Sequence, residues 1–223
     1  MTKLFHVDFE HTISFDDGSS TVLVLEDTKQ FRKYISELYS SFEGDGPFHL
    51  VDGIKEKKFK DHLEIILSPF SVSFSEKRLT AKLQALMKEH MASENHYVDT
   101  SSIISAIDLY AEKLSSDFIV DIECESVDLA GLRKIIGFSV RTEYENDFEK
   151  VLEYMNVLHD SCGIDDFVLV SFFSYFSMEE INHLVSDTSA NKHNLLFLES
   201  IQPPSVPIDS KLIIVDKDGC EIF

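Results

Sequence analysis

A chain of 223 residues with 43% hydrophobic content and 18 Phe can bury a sizeable core, which excludes a disordered chain and predicts one large domain or one with an inserted subdomain. Its 40 acidic against 20 basic residues give a formal charge of -20, which favours solubility and cation binding and repels phosphate backbones and anionic membranes. No apolar run reaches the length of a membrane span, MTKLFHVDFEHT is no signal peptide, and Cys124, Cys162 and Cys220 lack CxxC spacing, so a reduced, cytoplasmic protein with no membrane partner is expected.

In chain order, Leu4-Phe5-His6-Val7-Asp8-Phe9 and Ile13-Ser14-Phe15 read as strands, and Asp16-Asp17-Gly18 as a turn into the buried-strand run Thr21-Val22-Leu23-Val24-Leu25. Asp27 or Thr28 can cap a helix in which Phe31, Tyr34, Ile35, Leu38 and Phe42 recur at helical spacing until Gly44 and Gly46. Phe48-His49-Leu50-Val51 and Leu63-Glu64-Ile65-Ile66-Leu67 predict strands on either side of a lysine-rich connection, Lys55 to Lys60. From Ser75 the period becomes helical. Leu79, Leu83, Leu86 and Met87 mark one helix and Ile103, Ile104, Ile107, Leu109, Tyr110 and Leu114 a second, an αα-hairpin inserted between two strand-rich halves. The chain returns through a predicted strand Phe118-Ile119-Val120-Asp121-Ile122, a short helix from Asp128 to Ile136, a helix from Asp147 to Leu158, and a strand Phe167-Val168-Leu169-Val170. Ser177-Met178-Glu179-Glu180 is a capping-box pattern, and Leu195-Leu196-Phe197-Leu198 and Leu212-Ile213-Ile214-Val215 are further strands. The reading is therefore an α/β fold with a mainly parallel sheet: a head in 1–70, a helical leg in 71–117, and hinge and returning head in 118–223.

Two clusters carry candidate chemistry. Asp117, Asp121, Glu123, Glu125 and Asp128 supply hard oxygen donors of the kind that calcium takes in numbers, and Asp121, Glu123 and Glu125 share a face if the segment is extended; a solvated acidic edge is the alternative. Lys55, Lys57, Lys58 and Lys60 form the densest basic group in an acidic chain and can reach phosphate oxygens without reading bases; a solvated loop is the alternative. Lys77, Arg78, Lys82 and Lys88 add a basic stripe to the first leg helix. Other chemistries lack their residues. The turn after the first buried strand is Glu26-Asp27-Thr28, with no Gly-rich loop and no GxxxxGK[ST] frame, and there is neither HExxH nor GxSxG, so no catalytic group is assigned.

The order of these segments resembles the type II-A CRISPR-associated Csn-type accessory proteins of spacer acquisition. Thr21 to Asp27 with Phe31, Phe148-Glu149-Lys150-Val151-Leu152, Ser174-Tyr175-Phe176-Ser177 through Ile181, and Leu195 to Glu199 carry the likeness. The run from Asp121 to Gly137 is similar to that family's acidic hinge, with Val140-Arg141-Thr142-Glu143 as its next strand, and Ile119 and Cys124 stand where further carboxylates are expected. The resemblance implies a P-loop-kinase-like head that has lost its nucleotide site, a homotetrameric ring stabilised by calcium, and a basic inner surface that holds linear double-stranded DNA ends without sequence specificity. It also implies the CRISPR integrase complex and the RNA-guided effector nuclease as partners, and a non-enzymatic role. A divergent nucleotide kinase or NTPase, and an acidic protein-binding adaptor, are the competing readings.

Overall fold

A computed structural model describes residues 2–16, 18–137, 140 and 143–223. Asp17 of the predicted turn and Arg141 and Thr142 of the predicted strand lie outside the described residues. Contacts group the chain into two units, Met1–Ser73 with Tyr144–Phe223, and Phe74–Glu143. The second holds the two predicted leg helices and also residues 118–143, for which the sequence predicts the hinge and the start of the returning head.

The first unit begins with β1 (Thr2–Phe5), β2 (Ile13–Phe15), β3 (Ser20–Leu25), α1 (Thr28–Glu43), β4 (His49–Asp52), β5 (Lys55–Lys57), α2 (Phe59–His62) and β6 (Leu63–Ile66). The second unit contains α3 (Lys77–Ala92), α4 (Tyr97–Ser115) and α5 (Leu129–Ile136). The first resumes with α6 (Asp147–Cys162), β7 (Asp166–Val170), α7 (Met178–Ala190), β8 (Asn194–Glu199), β9 (Lys211–Val215) and β10 (Glu221–Ile222).

Two sheets organise the first unit. The larger has the order β10-β9-β3-β8-β7-β6, parallel throughout except for β10, which pairs antiparallel with β9. Every residue of β3, β7 and β8 is buried. Runs such as Leu195-Leu196-Phe197-Leu198 lack polar alternation because both faces of a parallel sheet are covered. The smaller sheet, β2-β1-β4-β5, is antiparallel, and its Leu4, Ile13, Phe15 and Leu50 join Leu25, Leu38, Val170 and Leu196 in one core. Asp27 caps α1 by accepting from the Lys29 N–H at 3.0 Å, and Gly44 ends it in the left-handed region at φ 104°, where only glycine is unstrained. The capping box at Ser177 and Glu180 is formed.

The structure corrects the predicted strands in three places. Lys55 to Lys60 is no plain connection: Lys55–Lys57 forms the outer strand β5 of a hairpin with β4, turning at Gly53, and Phe59, which is buried, opens α2. The N-terminal strand stops at Phe5, after which the chain turns and the Phe9 N–H donates to the His6 carbonyl at 3.1 Å. Phe118 to Ile122 is not a strand, and Phe118, Ile119 and Val120 are exposed. Its apolar residues signal β propensity, but a strand exists only where another offers a ladder, and among the described residues none does.

Within the second unit, α3 and α4 form the predicted hairpin, closed by the Tyr97 N–H donating to the Ser93 carbonyl at 2.8 Å. Leu79, Met91 and Leu132 are buried, whereas α4 buries only Thr100.

Candidate functional site

The carboxyl ends of parallel strands are where open α/β sheets place their ligands. At that edge the residue after β3, Glu26, gives its N–H to the Val215 carbonyl at 3.0 Å, so the amide is spent on the sheet. Asp27 follows, and its carboxylate occupies the first turn of α1 by accepting from Lys29. A phosphate would find carboxylates and committed amides where a phosphate loop presents free N–H groups and a lysine. Glu199, at the end of β8, adds a third carboxyl group. It is buried and accepts from the Phe173 N–H at 3.2 Å, and burial pushes its pKa up to about 7 against the pull of that donor.

Of the four predicted DNA-contacting lysines, Lys55 and Lys57 lie on β5, Lys58 is the N-cap residue of α2 and Lys60 lies within α2. Lys55 and Lys58 are exposed and have no ion-pair partner among the described residues, while Lys57 is half-buried and pairs with Asp52 at 3.7 Å. Lys60 reaches Glu43 at 2.6 Å and lies 5.6 Å from the centre of the Phe42 ring. Lys57, Lys58 and Lys60 line a cavity of about 590 Å³ beside Glu43, Asp45 and Glu56, so its lining is mixed in sign. On α3, Lys77, Lys82 and Lys88 are exposed and Arg78 is half-buried.

The five predicted calcium ligands, Asp117, Asp121, Glu123, Glu125 and Asp128, are all exposed in the segment between α4 and α5. As placed in a single chain they do not form an ion cage, since no three of their ligand atoms lie within 4.8 Å of one another. Asp128 caps α5, accepting from the Gly131 N–H at 2.7 Å. The carboxylate that anchors this segment is one the sequence reading passed over, Asp108 on α4, which accepts from the Ser126 hydroxyl at 2.6 Å and the Val127 N–H at 3.1 Å. The Ser126 bond, then the Val127 bond, lowers its pKa below the usual carboxylate range. Nothing local marks it: its partners are 18 and 19 residues away.

The amino-terminal edge of the larger sheet carries a polar cavity of about 770 Å³ that no sequence motif announced. Asp166, the first residue of β7, is buried against Asn194, which donates to it at 2.8 Å, and burial pushes the acid up to about 7. His159, near the end of α6, lies with its Nδ1 2.6 Å from the carboxylate of Asp165. His193, just before β8, stacks edge-on against His159 with ring centres 4.7 Å apart, and its burial lowers its pKa. Their signal is spread over 35 residues of chain, whereas motif reading depends on fixed short spacings.

Residues 41–219 match the family model of CRISPR-associated protein (Cas_Csn2). A relative, the CRISPR-associated protein Csn2 of Streptococcus agalactiae, is 22% identical over 208 residues, covering 90% of this chain and 89% of that protein.

Proposed function

This chain belongs to the Csn2 family of CRISPR-associated proteins, and from that premise we propose that it is a non-enzymatic protein of CRISPR spacer acquisition, a homotetrameric ring that holds linear double-stranded DNA ends. The observation that carries the reading is the apolar surface of α4: Tyr97, Val98, Ile103, Leu109, Tyr110 and Leu114 are exposed on a helix of 19 residues with one buried side chain. An apolar helical surface of this kind is covered when copies associate. Lys55 and Lys58, exposed and unpaired among the described residues, supply phosphate contacts that carry no sequence information. The blocked turn at Glu26 and Asp27 supports a P-loop-like scaffold that has lost its nucleotide site. Calcium enters through the family resemblance and the donor chemistry of Asp117, Asp121, Glu123, Glu125 and Asp128. The CRISPR integrase complex and the RNA-guided effector nuclease are the partners that a role in acquisition requires.

Light scattering on a sizing column, with calcium or chelator and with or without a linear duplex, tests the proposal. A calcium-dependent tetramer that co-elutes with linear duplex, and releases it as salt rises, is expected. A chain whose mass responds to neither calcium nor DNA rejects the ring. That result would favour an acidic adaptor, a reading that the exposed Phe118, Ile119 and Val120 between carboxylates also support.

A further inference from the structure

We propose that His159, Asp165 and His193 bind one divalent transition-metal ion of the zinc class at the amino-terminal edge of the larger sheet. The three are the one group of three or more His, Cys, Asp or Glu side chains among the described residues whose ligand atoms all lie within 4.8 Å of one another. The donor set, two imidazoles and a carboxylate, is a zinc set, and it differs in kind from the all-carboxylate segment at 117–128.

A second observation points to a ligand. His193 is 1% exposed, its Nε2 lies 3.2 Å from the Asn156 side-chain oxygen, and its Nδ1 is buried with no hydrogen-bond partner. An unsatisfied buried ring nitrogen costs stability unless something takes its lone pair or its proton. The Asn156 contact is of the kind that orients a ligating imidazole from behind.

The geometry closes with little movement. Two donors at zinc-bond length from one ion sit roughly 3.3 Å apart. His193 is held by the core, while the side chains of His159 and Asp165 are 40% and 53% exposed and free to adjust. The ion takes the place of the proton that His159 and Asp165 share in their 2.6 Å contact. The adjoining cavity, lined by His159, Asp165, Asp166, Asn194, His62 and Lys192, leaves room for water in the fourth position. Binding ties the end of α6 to the starts of β7 and β8, so the ion acts as a clamp on the first unit.

The test is calorimetric titration of the whole chain with zinc chloride in the presence of excess calcium, with thermal melts alongside. One zinc per chain and a raised melting temperature are expected, unaffected by calcium because imidazole nitrogens suit transition ions. His159→Ala, at a half-buried position, and Asp165→Asn, at an exposed one, are each expected to weaken binding at least about tenfold and to shrink the thermal shift. Failure of wild type to take up zinc saturably, uptake unchanged in both variants, or displacement of zinc by calcium overturns the site. Should His159→Ala fail to fold, Asp165→Asn keeps the test, since asparagine preserves the side-chain shape and removes the charge.

Discussion

The apolar side chains of the first unit's parallel strands and those of α4 in the second meet opposite fates. β3, β7 and β8 bury every residue, because a central parallel strand has neighbours on both edges and layers over both faces. α4 carries apolar side chains in every turn, yet among its residues Ile103, Leu109, Tyr110 and Leu114 remain exposed and only Thr100 is buried. A helix packs along the seam where it meets its neighbours, and the rest of its surface is left to water or to another copy. The lesson is a division of labour: the first unit holds the buried parallel strands, and the second leaves apolar helical surface exposed.

The largest expected effect tests this division directly. Phe197→Ala removes a fully buried ring from β8 and is expected to cost about 3–5 kcal/mol, whereas Leu109→Ala on α4 should change monomer stability by less than about 0.5 kcal/mol. Urea unfolding followed by circular dichroism measures both, and equal losses would break the comparison. Next comes Glu199→Gln. The folded pKa of Glu199, about 7, lies above its ordinary value of 4.5, so its contribution is fully present below pH 4.5 and is lost as pH rises through 7. The variant is therefore expected to be more stable than wild type at pH 8, by on the order of 2 kcal/mol, with the difference gone by pH 4. Urea midpoints across that range would show it, and a constant offset would contradict the sign.

A smaller effect belongs to the second unit. Asp128→Ala removes the cap of α5 and is expected to cost about 1 kcal/mol, while Asp128→Asn keeps the cap. Hydrogen exchange at the amides of α5 distinguishes the two, and if Asn also loosens the helix, the charge and not the cap is what holds it. The smallest expected change in stability, within about 0.5 kcal/mol, is for Lys55→Glu with Lys58→Glu. The same pair should weaken binding to a linear duplex and shallow its salt dependence; an unchanged slope of log affinity against log salt would remove these lysines from the DNA surface.

Local pattern was enough for much of the fold. The run from Thr21 to Leu25, the cap at Asp27, the stop at Gly44, the αα-hairpin and the capping box at Ser177 and Glu180 each depend on neighbours within a turn or a strand, so a short window of residues specifies each. The blocked turn at Glu26 and Asp27 was legible for the same reason. Features that need a distant partner emerge only in the folded chain. Phe118 to Ile122 has strand-forming residues and, among the described residues, no strand to pair with, while Lys55–Lys57 has charged residues and β4 beside it, so the first is coil and the second is β5. Asp108 reaches Ser126 and Val127 across a helix end, and His159, Asp165 and His193 come together only when β7 and β8 pair in register. Strand ladders and side-chain constellations are long-range contacts, and their energy is absent from any short window of sequence.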